Sequence, residues 1–203
     1  MQIIRTASLP RSPWKNGGGE TVEIAVHPPG AGLATFDWRI SMATVASDGP
    51  FSLFPGIDRT LSILDGDGIR LTIGDRPAVT LTASSPPLAF AADQSATATL
   101  IGSTVTDLNV MSRRGHVTHR VERLKLDGEM PRDASGATIG VFCQSGAIAV
   151  AIGGETSMLH ANDCAILEPG DTPGTLTSAI PATAFIIRIS ALPRAAPRPG
   201  SPP

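Results

Sequence analysis

The sequence predicts an all-β fold, and three observations carry that expectation. Short runs rich in Val, Ile, Thr and Leu recur along the chain, among them "ETVEIAV", "RTLSIL", "GIRLTIG", "AIAVAIGG" and "TAFIIRIS". The 21 glycines and 18 prolines are spread between these runs rather than gathered in one place. Long helical periodicity is almost absent from the 203 residues. Many short strands divided by turn residues argue for a sandwich or a barrel.

Taken in order, the first strand, "ETVEIAV", follows the glycine-rich stretch "SPWKNGGG". In "FDWRISMATV" strict alternation puts Trp38, Ile40 and Met42 on one face and Arg39, Ser41 and Ala43 on the other. The segment "DGPFSLFPGIDR" then turns through Pro-Gly and delivers Arg59 to the start of the next strand. "DGDG" at 65–68 and "GD" at 74–75 bound "GIRLTIG", and "AVTLT", "PLAFA" and "ATATLIG" follow as strands. In "TDLNVM" Asp107, Asn109 and Met111 share a face, with Leu108 and Val110 opposite. Residues 116–126, "HVTHRVERLKL", are the one stretch that could be helical, and it is short. "TIGVFC", "AIAVAIGG", "CAILEP" and "TAFIIRIS" complete the strands, with a turn in "PGDTPG". Residues 193–203 are proline-rich without a large apolar side chain and are expected to be a disordered tail.

The halves echo each other. "GIRLTIG", a polar turn and "PPLAF" parallel "GAIAVAIG", a turn and "CAILEPGD", at an offset of about eighty residues. This suggests two copies of one small barrel, residues 1–115 and 116–192, with the break near 113–132.

Bulk properties narrow the function. A net charge of −2 gives no general pull on nucleic acid or anionic membranes, so neither partner is expected. No stretch is continuously apolar over the ~18 residues that cross a bilayer, and the apolar run in residues 1–14 is too short for a leader, so none is expected. A cytoplasmic protein is expected, with Cys143 and Cys164 as reduced, buried thiols.

Four kinds of site can be weighed against the residues. A Walker loop needs Gly-Lys-Ser/Thr entering a helix, whereas Lys15 precedes Gly17, Gly18 and Gly19 and a strand follows. His27, His116, His119 and His160 are scattered, so no metal site is expected. No Gly-x-Ser-x-Gly elbow occurs, and both cysteines sit in apolar runs, so no catalytic nucleophile is expected. The fourth is more specific. Phe51 and Phe54 flank the Pro-Gly turn before Arg59, and an arginine between aromatic walls can hold a carboxylate with a bidentate fork. On single strands Arg39, Ser41, Asp107 and Asn109 read as facing water, the favoured reading, although Arg39, Ser41 and Asn109 could point inward.

"PWKNGGGETVEI", "FDWRISMATVASDGPFSLFPGIDRTLSIL" and "DLNVMSRRG" together resemble the three signature blocks of the HutD/Ves family, running from residue 13 to 115. The resemblance implies a bicupin, two small cupin-like β-barrels from one chain, associated with histidine utilisation or with a stress-related Ves branch. It implies no established enzymatic activity. In metal-binding cupins the places matching Phe51, Leu53 and Phe90 hold histidines and that matching Asp58 an acid, so a metal-free first barrel and no cofactor are implied.

The expected site is the mouth of the first barrel, binding a small organic acid such as urocanate or N-formylglutamate. Arg59 is its main charge partner, with Phe51 and Phe54 as walls. The loop of Trp14, Lys15, Asn16, Gly17, Gly18 and Gly19 is expected as its rim, where glycines let backbone N–H groups approach an anion. Arg39, Ser41 and Asn109 are secondary candidates. A rival reading is a metal-independent isomerase or hydrolase with Asp58, Glu20, Glu23 or Asp107 as general base. A third is an interaction module, and pairing of strand edges would make a homodimer.

Overall fold

The computed structural model describes residues 1–15, 17–132, 136–171 and 174–193. Asn16 and the tail from residue 194 onward lie outside the described residues. The chain opens with β1 (Gln2–Ile4), a single 3-10 turn (Thr6–Ser8), β2 (Arg11–Pro13), β3 (Gly19–His27), β4 (Trp38–Val45) and β5 (Gly49–Pro50). Next come β6 (Ile57–Asp65), β7 (Ile69–Ile73), β8 (Val79–Leu81), β9 (Leu88–Ala91), β10 (Ala96–Leu100) and β11 (Val105–Arg113). The last strands are β12 (Val117–Arg132), β13 (Thr138–Ser145), β14 (Ala147–Ile152), β15 (Glu155–His160), β16 (Cys164–Leu167) and β17 (Gly174–Ala191).

These strands form three sheets. A six-stranded central sheet runs β2-β3-β4-β11-β6-β9, and a four-stranded small sheet runs β5-β10-β7-β8. A seven-stranded C-terminal sheet runs β1-β16-β13-β17-β14-β15, with β12 also paired to β17. Because β1 pairs with β16, the first residues of the chain belong to the sheet built from its last third.

Alternation along the central strands feeds two cores at once. Val22, Ile24, Trp38, Ile40, Met42, Leu108 and Val110 pack against Phe142, Ile166, Phe185, Ile187 and Ile189 of the C-terminal sheet. On the opposite face Val45, Leu61, Ile63 and Val105 meet Ile69, Leu71, Ile73, Ala96 and Ala98 of the small sheet. The far side of the C-terminal sheet closes over Val141, Cys143, Ile148, Val150, Leu159 and Leu176. Its contents are uniformly apolar, whereas the layer between the central and small sheets also takes in charge.

Residues 116–126, the one stretch that could be helical, form no helix. That stretch opens β12, which pairs along β17 from Val117 opposite Ala191 to Arg132 opposite Gly174. Val117, His119, Val121 and Arg123 are partly covered while Thr118, Arg120 and Glu122 are exposed, a period of two. Val117, Val121 and Leu124 also fit helical spacing, so the local pattern is ambiguous. The long hydrogen-bonding edge of β17 decides it.

No described helix is long and apolar enough to cross a membrane. Both cysteines are free and buried, and burial pushes the thiols of Cys143 and Cys164 up to about 11 and about 12.

Candidate functional site

Strand β11 lies between β4 and β6, and its register gathers the polar residues of three strands. Met111 stands opposite both Arg39 and Arg59, Asn109 opposite Ser41 and Leu61, and Asp107 opposite Ala43 and Ile63. Phe90 of β9 stands opposite Arg59. All of them share the face that also carries Val45 and Leu61, so they point into the layer beneath the small sheet.

Arg59 is the centre of this group. It is 3% exposed, and its guanidinium carbon lies 5.2 Å from the Phe51 ring centroid, 5.3 Å from Phe54 and 5.8 Å from Phe90. The segment before β6 is pinned by backbone bonds from Phe51 N to Ala96 O (2.8 Å) and from Phe54 N to Ala92 O (2.9 Å). Three aromatic faces therefore hold a cation that burial would otherwise exclude. Burial lowers Arg59 to about 10, with Asp107 opposing the shift and Arg39 adding to it.

Asp107 is fully buried, and Asn109 Nδ2 donates to its Oδ1 at 2.5 Å. Burial raises the Asp107 carboxyl to about 7, against the pull of Arg59 and the bond from Asn109. Arg59 Nε, Asp107 Oδ2 and Asn109 Oδ1 are all buried and find no hydrogen-bond partner among the described residues. Buried polar atoms are normally paired, so three bare ones on a single face make this interior the candidate site. Arg39, by contrast, is already engaged: its Nε donates to Glu23 at 2.7 Å and its Nη1 to Ser41 at 3.1 Å.

The glycine-rich loop is held in part by its own backbone hydrogen bonds. Trp14 N donates to Gly19 O (2.8 Å), Gly17 N to Trp14 O (3.0 Å) and Ala46 N to Gly18 O (2.9 Å). Two of its amides are thus spent closing the β2–β3 hairpin rather than facing an anion. Gly17 takes a φ of +70°, and a Cβ at Gly19 would lie 2.2 Å from Thr44 O and 3.1 Å from the Trp14 ring. Trp14 Nε1 donates to Thr21 Oγ1 at 2.8 Å, while Lys15 is exposed. Trp14, Gly18 and Phe51 line a void of about 20 Å³, enough for roughly one water. Phe51 borders this void and also flanks Arg59, so it stands between the mouth and the guanidinium.

Of the carboxylates considered as bases, Asp58 is half exposed and bonded to Arg114 at 2.8 Å, and Glu20 pairs with Arg11. Only Asp107 is fully buried inside the layer. Phe90 is the third wall of the Arg59 cage, whereas the sequence marks it only as the place of a missing metal ligand. Its role needs the β6–β9 register. Among the described residues no group of three or more His, Cys, Asp or Glu could hold a metal.

A larger cleft, about 570 Å³, lies between the central and C-terminal sheets, bordered by His27, Asp37, Trp38, His116, Thr138 and Glu168. It contains none of the residues expected to bind a ligand. Its volume is that of a small-molecule pocket, but the Arg59 interior carries the unpaired buried groups and is the stronger candidate.

Known proteins share this architecture. The HutD family model matches residues 6–186. An uncharacterised 21.2 kDa protein from the hutC 3′ region of Pseudomonas putida is 34% identical over 172 residues, 84% of this chain and 88% of its own. Protein Ves of Citrobacter koseri is 38% identical over 122 residues, 60% of this chain and 62% of its own. Among solved structures, a conserved protein of unknown function from Pseudomonas aeruginosa is 33% identical, with a TM-score of 0.86 over 93% of this chain and 98% of its own. HutD of Pseudomonas fluorescens, from a formate condition, is 28% identical, with a TM-score of 0.80 over 95% of this chain and 99% of its own. A cupin 2 conserved barrel domain protein from Leptotrichia buccalis, 11% identical with a TM-score of 0.56 over 85% of this chain and 88% of its own, shares the cupin-like fold.

Proposed function

This chain belongs to the HutD family, and from that premise we propose that it is a non-catalytic regulator of histidine utilisation that binds a small organic acid. One observation carries the reading: the Arg59 guanidinium is 3% exposed, caged by three phenyl rings, and its Nε has no partner among the described residues. A buried N–H donor without an acceptor is costly, and a carboxylate oxygen is the acceptor that best relieves it. Urocanate and N-formylglutamate are the leading candidates, a choice supported by the hutC-region name of the P. putida relative. The rest of the reading is a bicupin, its first barrel formed by residues 1–115 apart from β1, which pairs with β16, and its second by 116–192. Binding requires Phe51 or Trp14 to swing aside, since the void at the mouth holds only about 20 Å³.

The test is thermal. At a hundredfold excess over Kd a bound acid should stabilise the parent protein by ~2.7 kcal/mol. Arg59→Ala should stay folded and lose that shift. An unchanged shift in the variant removes Arg59 as the charge partner.

A second reading rests on Asp107, whose burial raises the carboxyl to about 7. A carboxyl near neutrality can give or take a proton, as a metal-independent cupin isomerase or hydrolase would require. Incubation of the same acids in chelator-treated buffer, followed by NMR, separates the two: unchanged acid supports the binder, consumed acid the enzyme.

A further inference from the structure

The 570 Å³ cleft between the central and C-terminal sheets takes no part in the Arg59 site, and its lining has a chemistry of its own. Its floor is apolar, made by the buried Trp38, Ala137 and Ile189 with Val117 and Leu192 beside them. The Trp38 ring is stacked on the exposed His27, with 5.7 Å between centroids and 8° between planes. Two carboxylates border this floor from different sheets: Asp37 immediately precedes β4, and Glu168 immediately follows β16.

Both carboxylates are held in place and only half used. Asp37 N donates to His27 O and Arg113 N to Asp37 O, each at 2.7 Å, and Asp37 Oδ1 lies 2.8 Å from His116 Nδ1. Glu168 N donates to Asp171 Oδ2 at 2.9 Å, and Glu168 Oε2 accepts from Thr138 Oγ1 at 3.3 Å. Asp37 Oδ2 and Glu168 Oε1 carry no hydrogen bond to a described residue. No lysine or arginine is among the described residues that border the cleft. Cations on the adjoining segments are committed elsewhere. Arg113 donates to Phe36 O and Ala34 O, and the Met1 ammonium pairs with Asp171 at 3.3 Å. Arg188 adjoins Ile189, but alternation turns it to the other face of β17.

We propose that this cleft is a second binding site, for a small organic cation: an amine on an apolar body about the size of one ring. Its ammonium is read by Asp37 and Glu168, and its body rests on Trp38 and Ile189. With the imidazoles neutral, the lining brings negative charge and no positive charge, so the fitting ligand supplies the cation. Charge-assisted bonds from an ammonium to a carboxylate are about twice as strong as neutral ones, which makes charge the main selector. The volume is in the usual range of small-molecule sites, with an apolar lining and a few convergent polar groups. Because Asp37 belongs to the central sheet and Glu168 to the C-terminal one, a bound amine joins the two.

Three matched probes test this by calorimetry: phenethylamine, its uncharged isostere phenethyl alcohol, and the anion hydrocinnamate. At about pH 8 alkylamines remain protonated. The parent protein should bind the amine at least ~10-fold more tightly than either of the others. Asp37→Asn and Glu168→Gln should each narrow that preference, and the double variant should bring amine and alcohol within about twofold. The chain's two tryptophans tell the sites apart: Trp14 lines the void at the Arg59 mouth, and Trp38 lines the cleft. In NMR spectra the Trp38 indole N–H signal should move with added amine while that of Trp14 stays still, with Trp14→Phe assigning the pair. Equal affinity for amine and alcohol, no binding of the amine, or a shift confined to Trp14 overturns the cleft site, and none of these touches the Arg59 reading. The parent comparison and the indole shifts need no carboxylate variant, so a misfolded one does not blunt the test.

Discussion

Gly17 and Gly19 of the hairpin loop are glycine for different reasons. At Gly17 the constraint is the backbone, with a φ of +70° and open space around the missing side chain. At Gly19 it is packing, because the added atom would lie 2.2 Å from the Thr44 carbonyl oxygen in the paired strand. A left-handed φ costs about 1–2 kcal/mol in a non-glycine residue, whereas forcing the β3–β4 ladder apart costs about 1–3 kcal/mol and also shifts the Trp14 ring. Gly19→Ala should therefore lower the melting temperature more than Gly17→Ala. The reverse order would mean that the loop, not the ladder, yields. The run of glycines is plain in the sequence, but its reason is not. A glycine needed for anion contact and one needed for strand contact look identical until the opposing strand is placed.

At the scale of the element, His119 links β12 to the central sheet. His119 Nδ1 lies 2.6 Å from Ser112 Oγ on β11, and its Nε2 lies 2.8 Å from Thr60 Oγ1 on β6. The imidazole thus joins a strand of the C-terminal sheet to two strands of the central one. Thr60 is 4% exposed and Ser112 1%, so deleting the ring strands two buried hydroxyls. His119→Ala should cost about 2–4 kcal/mol in urea denaturation, and His119→Gln, which can still reach one hydroxyl, should cost less. A loss below about 1 kcal/mol for the alanine variant would show that the hydroxyls find other partners. The same strand marks where local pattern fails. The sequence of 116–126 supports both periods, and the partner strand β17 lies more than forty residues away, beyond any local window.

Over the whole molecule, two buried groups give stability opposite dependences on pH. The Asp107 carboxyl rises to about 7 in the folded protein from about 3.9 when unfolded. Folding therefore holds its proton, and the stability it contributes is full below about pH 4 and lost as the pH rises through 7. His119 runs the other way. Burial lowers it to about 4, against a weak opposing pull from Asp58, so its contribution is full above about pH 6.5 and lost as the pH falls through 4. A tenfold change in proton affinity on folding corresponds to about 1.4 kcal/mol, and the two arms nearly cancel between about pH 4.5 and 6.5. The parent should show a plateau there and a shallow decline just above it. Asp107→Asn should turn the plateau into a rise with pH, and His119→Gln should turn it into a fall. Denaturation midpoints across this range that are unchanged by either variant would mean that neither group is buried as described.

Read without its fold, the chain already specifies the strand pattern, the turns, the alternation that puts Trp38, Ile40 and Met42 opposite Arg39 and Ser41, and the family blocks around Trp14, Arg59 and Asn109. These are local properties, written in period and in residue type. Which face of the central sheet is enclosed depends on the assembled molecule. Alternation says that Asp107 and Asn109 share a face of their strand, but not whether water or a second sheet covers it. The small sheet covers it, and that enclosure turns polar residues from a solvated surface into a buried set with three atoms left unpaired. Burial depends on what packs against a strand, and that partner is chosen by the fold of the whole chain.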